Sequence, residues 1–152
     1  MQHNEWMLND AGEMLYRIWN EIPNTYPEIV IDEFIVMPNH VHGIICIVGA
    51  PLVGALPVED RAGMVNNRAG TRPAPTTLGD VVGIFKSIST HQYAMNVHAN
   101  KWPPFPGKLW QRNYYEHIIR NETEMERIRH YIINNPLQWE NDENNLANYY
   151  GD

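Results

Sequence analysis

Two β-branched and aromatic runs, Glu28 to Met37 and Val41 to Val48, are separated only by Pro38-Asn39-His40. A connection that short joins antiparallel strands, so the pair reads as a β-hairpin. The hairpin places His40-Val41-His42 at the start of its second strand, at a sheet rim. Side chains two apart in a strand point to one face, so two imidazoles stand together there. Neutral imidazoles with open positions hold Mg²⁺, Mn²⁺ or Zn²⁺ and leave room for a phosphate. The same residues also fit a turn histidine beside a half-buried strand histidine, and the pair alone does not separate the two.

The elements around the hairpin follow from period and punctuation. Asn9 or Asp10 caps a first helix with Met14, Leu15, Ile18 and Trp19 on one stripe, and Pro23 stops it. Residues 49–76 carry Pro, Gly and scattered Ala and Arg without pattern, and read as a flexible insertion. From Thr77 the helical period returns, with Leu78, Val81, Val82, Phe85 and Ile88 on a stripe and Thr77 with Asp80 as cap. Leu109 to Ile119 reads as a weakly alternating strand. Asn121-Glu122-Thr123-Glu124 opens a last helix that Pro136 closes. Helix, hairpin, helix, strand and helix in that order predict an α+β sandwich with the helices on one face of an antiparallel sheet. The 152 residues make one domain over 1–139, followed by an acidic tail over 140–152.

The last helix carries the second half of the chemistry. Met125, Ile128 and Ile132 are spaced to bury it against the sheet, and Tyr131 and Asn135, four apart, share a face beside that stripe. The residue before a proline is pushed out of the helical region, which puts Asn135 at the edge of the last turn with its carbonyl oxygen free to turn toward a metal. The Tyr131 hydroxyl over the same spot could attack a phosphate. Spacing alone favours a packing tyrosine and a helix-capping asparagine.

Charge and composition bound the partners. The formal net charge of -7 argues against nucleic acid, but residues 34–139 hold ten of the eleven Lys and Arg and seven of the eighteen acids. A mildly basic middle permits a DNA-binding face. No stretch is long and apolar enough to span a membrane, and residues 1–5 lack the character of a signal peptide. The single cysteine, Cys46, reads as a small core residue, which excludes a disulfide framework and fits a cytoplasmic setting.

Four ordered segments resemble the REP-associated tyrosine transposases: Val36-Met37-Pro38-Asn39-His40-Val41-His42-Gly43, Ile84-Phe85-Lys86-Ser87, Leu109 through Asn121, and Tyr131-Ile132-Ile133-Asn134-Asn135-Pro136. That family belongs to the HUH single-strand DNA nucleases. The resemblance implies a ferredoxin-like sandwich and a divalent metal, Mg²⁺ or Mn²⁺, on His40, His42 and Asn135. It implies Tyr131 as the nucleophile and single-stranded or hairpin DNA as the partner. Tyr114 and Tyr115 compete for the nucleophile's role, although consecutive residues of an extended segment face opposite ways. Lys86, Arg112, Arg120, Arg127 and Arg129 are available to phosphates, and Trp110, Tyr114 and Tyr115 to unpaired bases. His117 reads as a DNA contact or as a donor orienting a ligand.

Members of that family begin with a central strand upstream of the first helix, and this chain lacks a matching segment. Two expectations follow: a truncated member, or a gap filled by another element, such as a second copy in a homodimer. The leading reading is metal-dependent cleavage and rejoining of single-stranded DNA near hairpins through a 5′-phosphotyrosine. The alternative is a truncated, non-catalytic hairpin-binding remnant. A third is a zinc hydrolase on His40, His42 and His117.

Overall fold

A computed structural model describes residues 7–48, 75 and 77–145. Within them the order is α1 (Asp10–Thr25), β1 (Ile29–Val36), β2 (Val41–Ile47), α2 (Leu78–Asn100), α3 (Glu122–Gln138) and a 3-10 turn at Trp139–Asn141. The chain is α+β, with three helices on a two-stranded antiparallel sheet. The insertion expected over 49–76 lies outside the described residues except for Pro75, as do residues 146–152 of the acidic tail. No helix among the described residues is long and apolar enough to cross a membrane.

Each helix begins on the cap its sequence supplies. Asn9 accepts the Gly12 N–H at 2.9 Å. Thr77 and Asp80 form a reciprocal capping box, and Asn121 accepts the Glu124 N–H at 2.8 Å. These side chains satisfy backbone donors that have no partner inside the helix. Both predicted proline stops are passed. α1 runs through Pro23 to Thr25 and α3 through Pro136 to Gln138. A proline in the last turn costs one backbone hydrogen bond, and packing of the preceding turn against the sheet outweighs it.

The hairpin sorts its side chains between two faces. Ile29, Ile31 and Phe34 of β1 and Val41, Ile45 and Ile47 of β2 pack with Met14, Ile18, Trp19 and Ile22 of α1 and Val81 and Phe85 of α2. The alternate residues face α3, where His42 meets Tyr131 and Asp32 meets Arg129. The helices therefore occupy both faces of the sheet, and the expectation of one covered face is corrected. A register shift between Ile31 and Phe34 sets Asp32 and Glu33 in a bulge. Cys46, opposite Val30, is exposed rather than a core residue, because it lies on the face away from the main core, where Val30 is also exposed.

Gly43 is required by contact. A Cβ there would lie 2.7 Å from the Trp19 ring and 3.0 Å from Phe34. Those two rings are stacked with centroids 4.4 Å apart.

Leu109 to Ile119 forms no strand. A strand needs a partner ladder, and the described sheet contains only β1 and β2. The segment is fastened through side chains instead. The Trp110 indole N–H donates to Ser89 Oγ at 2.8 Å, and Lys86 donates to the Gln111 carbonyl at 2.8 Å. Ser89, fully buried, donates in turn to the Phe85 carbonyl.

Candidate metal and nucleophile site

The hairpin turn is closed by the Met37 N–H donating to the His40 carbonyl at 2.8 Å, which leaves His40 immediately before β2 and His42 within it. Their Nε2 atoms face each other at 3.0 Å, with the rings nearly perpendicular. Two nitrogens held ~2.1 Å from one ion, at right angles to each other, stand ~3 Å apart, so the pair has the spacing of two ligands of a common cation. Burial pushes the His40 pKa below its ordinary value, against the pull of the Asp142 carboxylate. Burial also lowers His42, with His40 adding to the effect and Asp142 opposing it. Both imidazoles are therefore neutral at neutral pH, the form with a lone pair to give.

α3 brings the remaining groups across the sheet. Arg129 grips Asp32 with two hydrogen bonds of 2.9 and 2.7 Å and also pairs with Glu126, which fixes the rotation of the helix on β1. Two residues on, the Tyr131 ring meets His42 edge to face at 5.5 Å. Asn135, one turn further, is 3% exposed, and its Oδ1 is buried without a hydrogen-bond partner among the described residues. A buried amide oxygen left unpaired is costly in a fold and awaits a donor, a water or a cation. Tyr131, Asn135, Gln138, Asn141 and Asp142 line a cavity of about 280 Å³. Among the described residues no group of three His, Cys, Asp or Glu side chains could hold an ion. The Asn135 oxygen is of the right kind for a further protein ligand beside the histidines.

Asn135 does not sit at a frayed edge, as its place before Pro136 suggested; it lies inside a continuous helix. Its isolation comes from burial, not from an ending helix.

Behind His40 lies a shell of side chains that no sequence motif marked. Trp139 packs against the His40 ring at 6.0 Å, and Asn39 Oδ1 lies 2.7 Å from His40 Nδ1. Asp142 acts on both histidines electrostatically. Its carboxyl is held below its usual value first by the Asn144 backbone N–H, and also by the Asn144 side chain and the two imidazoles. The only available signal was the direct continuation of the chain from Pro136 into Trp139 and Asp142, which composition assigns to a tail.

The remaining candidates lie elsewhere. His117 pairs with Glu124 at 2.8 Å in the first turn of α3. Glu124 lies seven helical residues, about 10 Å, from Tyr131, the α3 residue that meets His42, so its bond to Glu124 holds His117 away from the His40–His42 pair. Trp110 packs on the core and Lys86 lies over the Tyr114 ring at 5.5 Å, so both hold the 109–115 segment in place. Tyr114 is thereby committed to α2 and not to the histidines. Arg112 and Tyr115 on that segment and Arg120 beyond it are exposed, Tyr115 almost completely. Arg129, expected to be available to phosphate, is taken by Asp32, Glu122 and Glu126.

Over 143 residues the chain is 38% identical to an uncharacterized protein of Haemophilus influenzae, covering 93% of this chain and 73% of the relative. The two proteins belong to one family. No family model matches the chain, and no solved structure matches it.

Proposed function

We propose that this protein is a tyrosine nuclease and strand transferase of the REP-associated, HUH type, built on a ferredoxin-like plan and acting on single-stranded DNA near hairpins. One arrangement carries the reading: two neutral imidazole nitrogens 3.0 Å apart, beside the Tyr131 ring, with the orphaned Asn135 oxygen one helical turn away. His40, His42 and Asn135 would hold Mg²⁺ or Mn²⁺. Bound there, the ion supplies Lewis-acid polarisation of the scissile phosphate and offsets charge in the transition state.

The residues of the chain do the rest. The Tyr131 oxygen forms a bond to phosphorus as the bond to the 3′ oxygen breaks, and the phenolic proton leaves through solvent as the departing 3′ oxygen becomes a hydroxyl. A 5′-phosphotyrosine remains, and attack by another 3′-hydroxyl reverses the step and joins strands. The phosphoester is conserved throughout, so no nucleotide cofactor is needed. Arg112, Tyr115 and Arg120 are exposed and suited to phosphates and unpaired bases. Tyr131, itself 54% exposed, is accessible to a strand.

Incubation with a single-stranded hairpin oligonucleotide and Mn²⁺ should give a protein–DNA adduct on a denaturing gel, and Tyr131→Phe should give none. The substitution removes only a hydroxyl from an exposed ring, so thermal stability stays within about 0.5 kcal/mol of native. An undiminished adduct in Tyr131→Phe rules the nucleophile out. A second reading, a non-catalytic DNA-binding remnant, draws on the two-stranded sheet and on the 109–120 segment that joins no ladder. It expects salt-sensitive hairpin binding with no adduct and no need for a metal.

A further inference from the structure

The turn residue Asn39 has two hydrogen bonds that together decide the protonation pattern of His40. Its Nδ2 donates to the Asn144 backbone carbonyl at 2.6 Å, and its Oδ1 lies 2.7 Å from His40 Nδ1. A carbonyl oxygen can only accept, so the amide end that faces Asn144 must be the NH₂. The other end is then the oxygen, which also can only accept. His40 Nδ1 must therefore carry the proton, and Nε2, the atom facing His42, is left with its lone pair.

We infer that Asn39, held in place by the Asn144 carbonyl, is a positioning residue that locks His40 in the Nδ1–H form and so presents Nε2 as a metal ligand. The inference rests on the metal reading of His40, His42 and Asn135. It makes the segment after α3 part of the site. Asn144 is itself fastened to Asp142, through its backbone N–H at 2.7 Å and its side-chain amide at 2.9 Å. Trp139, at the start of the same segment, covers the His40 ring. A ligand ring whose far nitrogen is hydrogen-bonded keeps both its tautomer and its orientation, and losing such a partner typically weakens metal binding about 10- to 100-fold.

Mn²⁺ titration by calorimetry, paired with ¹⁵N NMR of the histidine rings without added metal, tests this in the full chain. Asn39 is exposed, so the fold tolerates its replacement. Native protein should show His40 protonated at Nδ1 and bare at Nε2. Asn39→Leu should lose that preference and bind Mn²⁺ about 10- to 100-fold more weakly. Asn39→Asp, which keeps an acceptor for Nδ1–H but cannot donate to the Asn144 carbonyl, should keep the Nδ1–H tautomer while recovering only part of the affinity. Native His40 found protonated at Nε2, or Mn²⁺ affinity unchanged in Asn39→Leu, overturns the inference alone. A native chain that binds no Mn²⁺ at all overturns the metal reading and this inference with it.

Discussion

Replacing Asn135 with leucine should make the protein more stable and remove its capacity for metal. Asn135 is 3% exposed, and its Oδ1 has no hydrogen-bond partner among the described residues. Burying an unpaired amide oxygen costs about 1–3 kcal/mol, the lower figure applying where a water bridges it. Leucine removes that cost, has good helix propensity, and keeps the helix packed against the sheet beside Ile132. Its extra bulk has somewhere to go, because Asn135 borders a cavity of about 280 Å³. At the size of this chain each kcal/mol moves Tm by about 2–4 °C, so the expected rise is ~2–12 °C. Differential scanning calorimetry without metal measures it. Added Mn²⁺ should raise Tm of the native chain and not of the variant, since a ligand that binds only the folded state stabilises it. A leucine variant less stable than native by more than about 1 kcal/mol would show that the Asn135 oxygen is satisfied, and the case for a third ligand there would fall.

Gly43→Ala should cost about 1–3 kcal/mol in urea unfolding, because its methyl must displace Trp19 or Phe34 from a stacked pair; a neutral result would mean the rings move freely. The Asp32 carboxyl titrates below the ordinary aspartate value of 3.8, chiefly through its hydrogen bonds to Arg129. Its ionised form is thus favoured in the fold, and the stability it contributes is full above pH 3.8 and lost as pH falls through the lower folded value. Native protein should accordingly be more stable than Asp32→Asn at neutral pH, with the gap closing below that point; a gap independent of pH would remove the Asp32–Arg129 pair from the account.

Local features were legible where local chemistry decides. Asn9, Thr77 with Asp80, and Asn121 start helices as their residue types dictate, since capping needs only atoms within one turn. The hairpin was equally readable, because three residues between two β-branched runs leave one way to connect them. The prolines were misleading. Pro23 and Pro136 look like stops on local grounds, yet α1 and α3 pass both, because the burial that holds the last turn comes from residues distant in sequence. The segment after Lys108 failed for the complementary reason. Its composition allows a strand, but a strand exists only with a partner, and Ser89 and Lys86 hold this segment by its side chains and carbonyls instead. Cys46 was misplaced because an apolar run does not say which of its two faces is covered.

By itself the sequence determined the hairpin, the helix starts and the same-face pairing of His40 with His42, all consequences of periods and turns shorter than about ten residues. It also put Tyr131 and Asn135 on one helical face. Only the tertiary structure decided that this face crosses the sheet to meet His42, through an Asp32–Arg129 clasp spanning 97 residues. The same holds for the Asn135 oxygen, which burial leaves without a partner. It holds too for Asn39 and Asn144, whose hydrogen bond spans 105 residues and orients His40. Contacts of that range depend on how whole elements pack, and no local pattern encodes them.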